Sequence, residues 1–163
     1  MTRLKERREI ARWEESTRAW ATDAAREMVY NICTGGPLAA RPYNLGVVLG
    51  ATEVPWIEFP ARFLNEGEYV WGTREPVVRP WLVTSERIVG RLGDGRLYGW
   101  RWDSFIGCRA SLVLGYESVV LDDYRGQPLA WVGPAVAPLA ITAIYWLHGA
   151  PGLIEHPSLN GLK

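Results

Sequence analysis

Arg79-Pro80-Trp81-Leu82-Val83-Thr84-Ser85-Glu86-Arg87-Ile88-Val89-Gly90-Arg91-Leu92 is the stretch that decides the fold. Two runs rich in apolar and β-branched residues, 79–84 and 87–92, flank Ser85-Glu86, a connection short enough for a tight hairpin. Alternation puts Trp81 and Val83 on one side of the first strand, Leu82 and Thr84 on the other. Outward from this hairpin the period of two continues. Further candidate strands cover 69–73, 96–102, 109–114, 118–121 and 128–132. Gly93-Asp94-Gly95, Gly115 and Asp122-Asp123-Tyr124-Arg125-Gly126 supply the turns between them. Seven short strands at this spacing predict an antiparallel barrel or sandwich rather than a parallel sheet. Gly90 and Gly99 permit the bending that a small barrel needs.

The segments on either side read differently. Residues 135–148 look helical, with apolar residues all round, so such a helix must be covered on most sides. The uncharged run 128–147 has a membrane-spanning length. Pro128, Gly133, Pro134 and Pro138 interrupt it, and a strand, a Gly-Pro corner and a buried helix explain it as well. Upstream, 37–64 is loop-rich, with Pro37, Pro42, Pro55 and Pro60. Residues 45–49 and 54–59 read as short extended pieces, and Trp56, Ile57, Phe59 and Phe63 make the segment an ordered connector.

Residues 3–33 predict one long amphipathic helix. Ile10, Trp13, Thr17, Trp20, Ala24 and Met28 follow spacings of three and four and share a face, which Ala21 and Ile32 widen. Glu14 and Arg18 pair one turn apart, and Gly35-Gly36-Pro37 supplies the stop. Two readings of the stripe stay open: packing on the protein's own body, or pairing with another subunit or protein.

Composition narrows the setting. The chain has 163 residues, no net formal charge and 48% hydrophobic residues, which suits one globular domain. The neutral balance argues against a protein that grips nucleic acid by charge. Basic and acidic residues are six and four among the first twenty, without the long basic run of a nucleic-acid arm. Nine Trp imply a structure built on indoles whose N–H needs a partner when buried. Sixteen Arg against two Lys, with much Gly, Ala and Pro, is associated with G+C-rich bacterial genomes. Cys33 and Cys108 read as a free, buried pair. The charged start lacks an apolar signal region, so a cytoplasmic location is the default.

At this point the residues resemble a known family. Trp81-Leu82-Val83-Thr84-Ser85-Glu86-Arg87-Ile88-Val89 is similar to the "apolar-apolar-Thr-x-x-Arg-apolar" hairpin of bacterial pleckstrin-homology-like (PH-like) and GRAM-like domains. Asn65-Glu66-Gly67-Glu68-Tyr69 resembles their opening. Trp100-Arg101-Trp102 with Phe105-Ile106 resembles their aromatic strand, and Leu129-Ala130-Trp131 leads into a closing helix. The resemblance covers about 65–149. It implies an α+β, mainly β fold: a seven-stranded antiparallel PH-like barrel closed by a C-terminal helix and preceded by a long N-terminal helix. The organisation is then 1–36 helix, 37–64 connector, 65–149 barrel with closing helix and 150–163 tail. In eukaryotic relatives the first hairpin often carries basic residues that hold phosphoinositide headgroups. Trp71, Arg74, Arg79 and Trp81 surround that hairpin and are the candidate binding residues. Glu75 between the arginines and the absence of Lys weaken the transfer, and a cation–π or structural role is the competing reading.

Catalytic patterns are sparse. His148 and His156 lie eight apart, not at the i,i+4 spacing of a zinc helix. His148 reads as a helix C-terminal residue favourable to the dipole, His156 as a tail residue, and Asp122-Asp123 as turn formers. No phosphate-cradling loop and no Gly-x-Ser-x-Gly elbow occurs. The expectations are no catalytic residues, no metal and no cofactor. The leading function is a non-enzymatic protein-binding module or adaptor, with self-association through the N-terminal helix as an option. The first alternative is a membrane-surface module contacting anionic lipid through the first hairpin or 131–146. The second is a small enzyme with a dispersed site such as Asp103, Asp122 and His148.

Overall fold

The 79–92 hairpin forms as expected. In a computed structural model that describes residues 2–36, 38–65 and 77–162, β2 (Arg79–Thr84) and β3 (Arg87–Arg91) pair antiparallel, with Trp81 opposite Gly90 and Val83 opposite Ile88. β4 (Leu97–Arg101) extends this meander. β5 (Phe105–Ser111), β6 (Ser118–Asp123) and β7 (Pro128–Val132) form a second one. The expected strand at 96–102 is thus one residue shorter at each end, and the one at 109–114 begins four residues earlier.

β1 (Pro55–Asn65) joins the two meanders. Residues 55–61 pair with β2 and residues 62–65 with β7. The result is a seven-stranded antiparallel sheet of order β4-β3-β2-β1-β7-β6-β5. Among the described residues it has edges at β4 and β5 and is not closed into a barrel. The class is α+β, with a helix at each end of the sheet sequence. β1 corrects the connector reading of 37–64, because residues 55–64 of that segment belong to the sheet's central strand. The expected strand at 69–73 lies outside the described residues.

The prolines that suggested a loop do not break the ladder. Pro60 and Pro80 face each other. Hydrogen-bonded pairs alternate with non-hydrogen-bonded ones along an antiparallel ladder. Counted inward from β4, this pair is non-hydrogen-bonded, so neither missing N–H costs a β1–β2 bond.

Each face of the sheet has its cover. On the inner face Ile57, Phe59, Val83, Ile88, Leu121 and Trp131 are buried with the first turns of α2 (Ala137–Glu155). Residues 137–144 of α2 are all buried, as its all-round apolar pattern requires. Its length and hydropathy would also suit a bilayer, but half of its apolar window is buried by this fold. Gly149 takes φ +70 and kinks the helix just past His148. α1 (Thr2–Cys33) packs on α2 and on a C-terminal 3₁₀ turn, Pro157–Leu162. On the outer face Leu45 covers Leu82 and Val89, helped by Tyr43, Val47 and Leu49. Glu58 accepts the Asn44 and Leu45 N–H groups, and Arg91 donates to the Gly46 carbonyl, which ties this strap down. Cys33 is exposed rather than buried, Cys108 is half-buried, and both are free.

Candidate functional site

β4 is the barest element of the sheet. Its Leu97–Arg101 ladder pairs with β3, and no other described element packs extensively on it. At the two ends of that pairing, Trp102 N–H donates to the Glu86 carbonyl and Leu92 N–H to the Arg96 carbonyl. The residues opposite each other at those ends are therefore hydrogen-bonded pairs. Alternation then makes Leu97, Gly99 and Arg101 the residues whose N–H and C=O turn away from β3. The side chains of Leu97 and Arg101 are exposed too, and Gly99 between them has none. Among the described residues the Arg101 guanidinium meets the exposed Asp103, at 3.4 Å. Ser104 Oγ donates to the Arg101 carbonyl at 2.6 Å, so among the described residues the open groups are those of Leu97 and Gly99 and the Arg101 N–H, set between an apolar side chain and a cation along this edge.

The Thr84-Ser85-Glu86-Arg87 turn that carries the family resemblance is a buried polar knot. Thr84 Oγ1 donates to Glu53 Oε1 at 2.7 Å and accepts the Glu86 and Arg87 N–H groups. Arg87 Nε donates to the same carboxylate oxygen at 2.8 Å, and Gly50 N–H to the other at 2.9 Å. Burial opposes the Glu53 carboxylate, yet the hydrogen bonds from Arg87, Gly50 and Thr84 hold it below the ordinary glutamate range. Trp102 Nε1 donates to the Thr84 carbonyl at 2.9 Å. Thr84 and Arg87 thus shape the turn that leads to the β3–β4 edge.

Of the predicted binding residues, Arg79 and Trp81 fall among the described ones, and these two do not form a surface patch. Trp71 and Arg74 lie outside the described residues. Arg79 is half-buried beside the β3–β4 turn, its Nη2 3.2 Å from where a Gly93 Cβ would stand. Trp81 is completely buried, so its place is in the core and not at a ligand. It joins Phe63, Trp100 and Trp131 in an aromatic cluster with ring centroids 5.1 to 6.3 Å apart. The Nε1 atoms of Trp81 and Trp131 are buried without a hydrogen-bond partner among the described residues. The demand that nine Trp made on partners is therefore met at Trp102 and unmet at these two.

The helix face divides. Ala24 and Met28 are buried, Thr17 is half-buried, and Ile10, Trp13 and Trp20 are exposed. Arg18 closes the covered half with a short ion pair to Glu117. Burial works against the Glu117 carboxylate, but the Arg18 hydrogen bond and backbone N–H groups hold it below the usual range. Trp13, Pro60, Val78 and Pro134 line a narrow cleft of about 90 Å³ beside this pair. No family model matches this chain, and no curated protein matches it in sequence.

Little else gathers. None of the described clefts is lined by Asp103, Asp122 or His148. Asp103 and Asp122 are engaged by Arg101 and Arg109 respectively. Among the described residues no three His, Cys, Asp or Glu side chains cluster as a metal would need. The Gly149 kink does bring the His148 and His156 rings to 6.1 Å, which their spacing in sequence did not suggest. Burial and the His148 charge both lower the His156 pKa. Burial, with Asp122 adding, pushes the Cys108 thiol up to about 12, the opposite of an activated nucleophile.

Proposed function

We propose that this chain is a non-enzymatic protein-binding module on a PH-like scaffold, taking an extended peptide along β4. The observation that carries the reading is the β4 edge, where Leu97, Gly99 and Arg101 turn their backbone groups outward. A peptide strand added there gains main-chain hydrogen bonds, and alternate side chains set its identity. Leu97 selects an apolar residue, and Arg101 an acidic one further along. The finer architecture within this proposal is a barrel-like sheet plugged by α2. It is supported by β1 serving both meanders and by the buried first turns of α2. The Thr84–Arg87 turn joined to Glu53 supports the family resemblance.

The test uses short random peptides displayed on phage, followed by amide chemical shifts of the protein with a selected peptide. The expected result is shifts centred on Leu97, Gly99 and Arg101. Gly99→Pro removes one outward N–H without touching a bond to β3, so it should abolish binding and leave the circular dichroism unchanged. No enrichment, shifts elsewhere, or a Gly99→Pro protein that binds normally would overturn the proposal.

A further inference from the structure

α1 presents a bare half-helix. Residues 3–13 are all exposed, and the body begins to cover the helix at Glu14 to Arg18. Ile10 is 57% exposed, Trp13 and Trp20 each 42%. Around fifteen residues of helix, roughly 22 Å, extend with little cover, and a helix of that length is marginal alone in water. Arg3, Glu6, Ile10, Trp13, Thr17, Trp20 and Ala24 alternate in threes and fours, the spacing of a two-helix seam. Along the seam, Trp20 is open and Ala24 is closed over by the body. Any partner helix therefore has room only as far as Trp20.

We propose that this seam pairs antiparallel with α1 of a second copy, about a two-fold axis between Ala11 and Arg12. That register sets Ile10 against the partner's Trp13, and Trp13 against the partner's Ile10. It brings Arg3 over the partner's Trp20, at the last open position of the seam. On one flank Arg7 meets the partner's Glu14, and Glu14 meets the partner's Arg7. Each attractive pair occurs twice, as an isologous interface requires. Parallel pairing does the reverse: Glu9 then faces Glu14, and Arg3 and Glu6 each stack on their own copies. An anionic membrane fits less well, because Glu6, Glu9 and Glu14 all border the apolar stripe. This pairing is independent of peptide binding at β4.

Sedimentation equilibrium of the full chain tests it, with circular dichroism as the check on folding. The wild type is expected to dimerise. Arg7→Glu, at an exposed position, and Glu14→Arg, at a half-buried one, should each weaken the dimer roughly tenfold. The double variant should recover it, since the charges are exchanged across both pairs. Parallel pairing predicts instead that Glu14→Arg tightens the dimer, by giving Glu9 an opposite charge. A monomeric wild type, including one that sediments with anionic vesicles, overturns the proposal. So does a Glu14→Arg variant that dimerises as well as or better than wild type, or a double variant no better than the singles.

Discussion

Gly90 has no room for a side chain. A Cβ there would lie 2.4 Å from the Trp81 ring, so the indole lies over the glycine across the β2–β3 pair. Gly90→Ala forces the ring out of a filled core and is expected to cost about 1–3 kcal/mol, read by urea unfolding. Gly99 is different, with ordinary 3.5 to 3.6 Å contacts for an added Cβ. Both glycines were legible as strand glycines, but bending does not describe Gly90: it is a site of close approach. Glu53 was not legible at all. Its partners Thr84 and Arg87 lie more than thirty residues away, and nothing local marks a carboxylate as buried.

Acid should unfold the protein through named groups. Glu53 and Glu117 both titrate below the ordinary value of 4.5 when folded. The stability they contribute is present above that value and is lost as pH falls through the lowered folded values. His156, whose folded pKa is lowered from 6.5, behaves in the same sense. Its contribution is present above pH 6.5 and declines below it. Thermal melts across pH should show a shallow decline below 6.5 and a steeper one below 4.5. Glu53→Gln and Glu117→Gln should each flatten the steeper part.

Elements followed the hydrophobic period wherever it was strong. α1 appeared within a residue of its expected limits, and six strands fell near theirs. β1 was obscured because two prolines inside a strand read as loop punctuation, and only their cross-strand register shows that they do no harm. Within α1 the sequence left the use of the stripe open, and the structure buries its C-terminal part while the N-terminal part stays exposed. The buried residues of α1 include Ala21, Ala25, Met28 and Ile32, and the two alanines leave room for α2 to approach closely. Met28→Ala should therefore cost about 2–5 kcal/mol. Trp13→Ala and Trp20→Ala should each cost less than Met28→Ala, because each Trp is 42% exposed whereas Met28 is buried. Chemical denaturation of the three variants separates the two classes, provided it is done at a concentration where self-association is absent.

At the scale of the molecule, the strand sequence fixed the class and left the partners of each strand open. Edges are a property of sheet order, so the position of β4 at an edge of the described sheet could not be read from residues 96–102 alone. The same holds for the opposed histidines, which depend on a kink one residue long. Charge, by contrast, was readable from the start. The exposed half of α1 carries its ionic pattern openly, and what it lacked was knowledge of where the body stops.

The sharing of β1 between two meanders has a consequence during synthesis. Among the described residues, 62–65 find their ladder partners in 129–132, so the chain must emerge as far as β7 before that end of the strand is paired. Until then the growing polypeptide holds a front meander that is raw at β4 and at the far end of β1, and the wait is a race between β7 and any neighbouring strand that reaches β1 first.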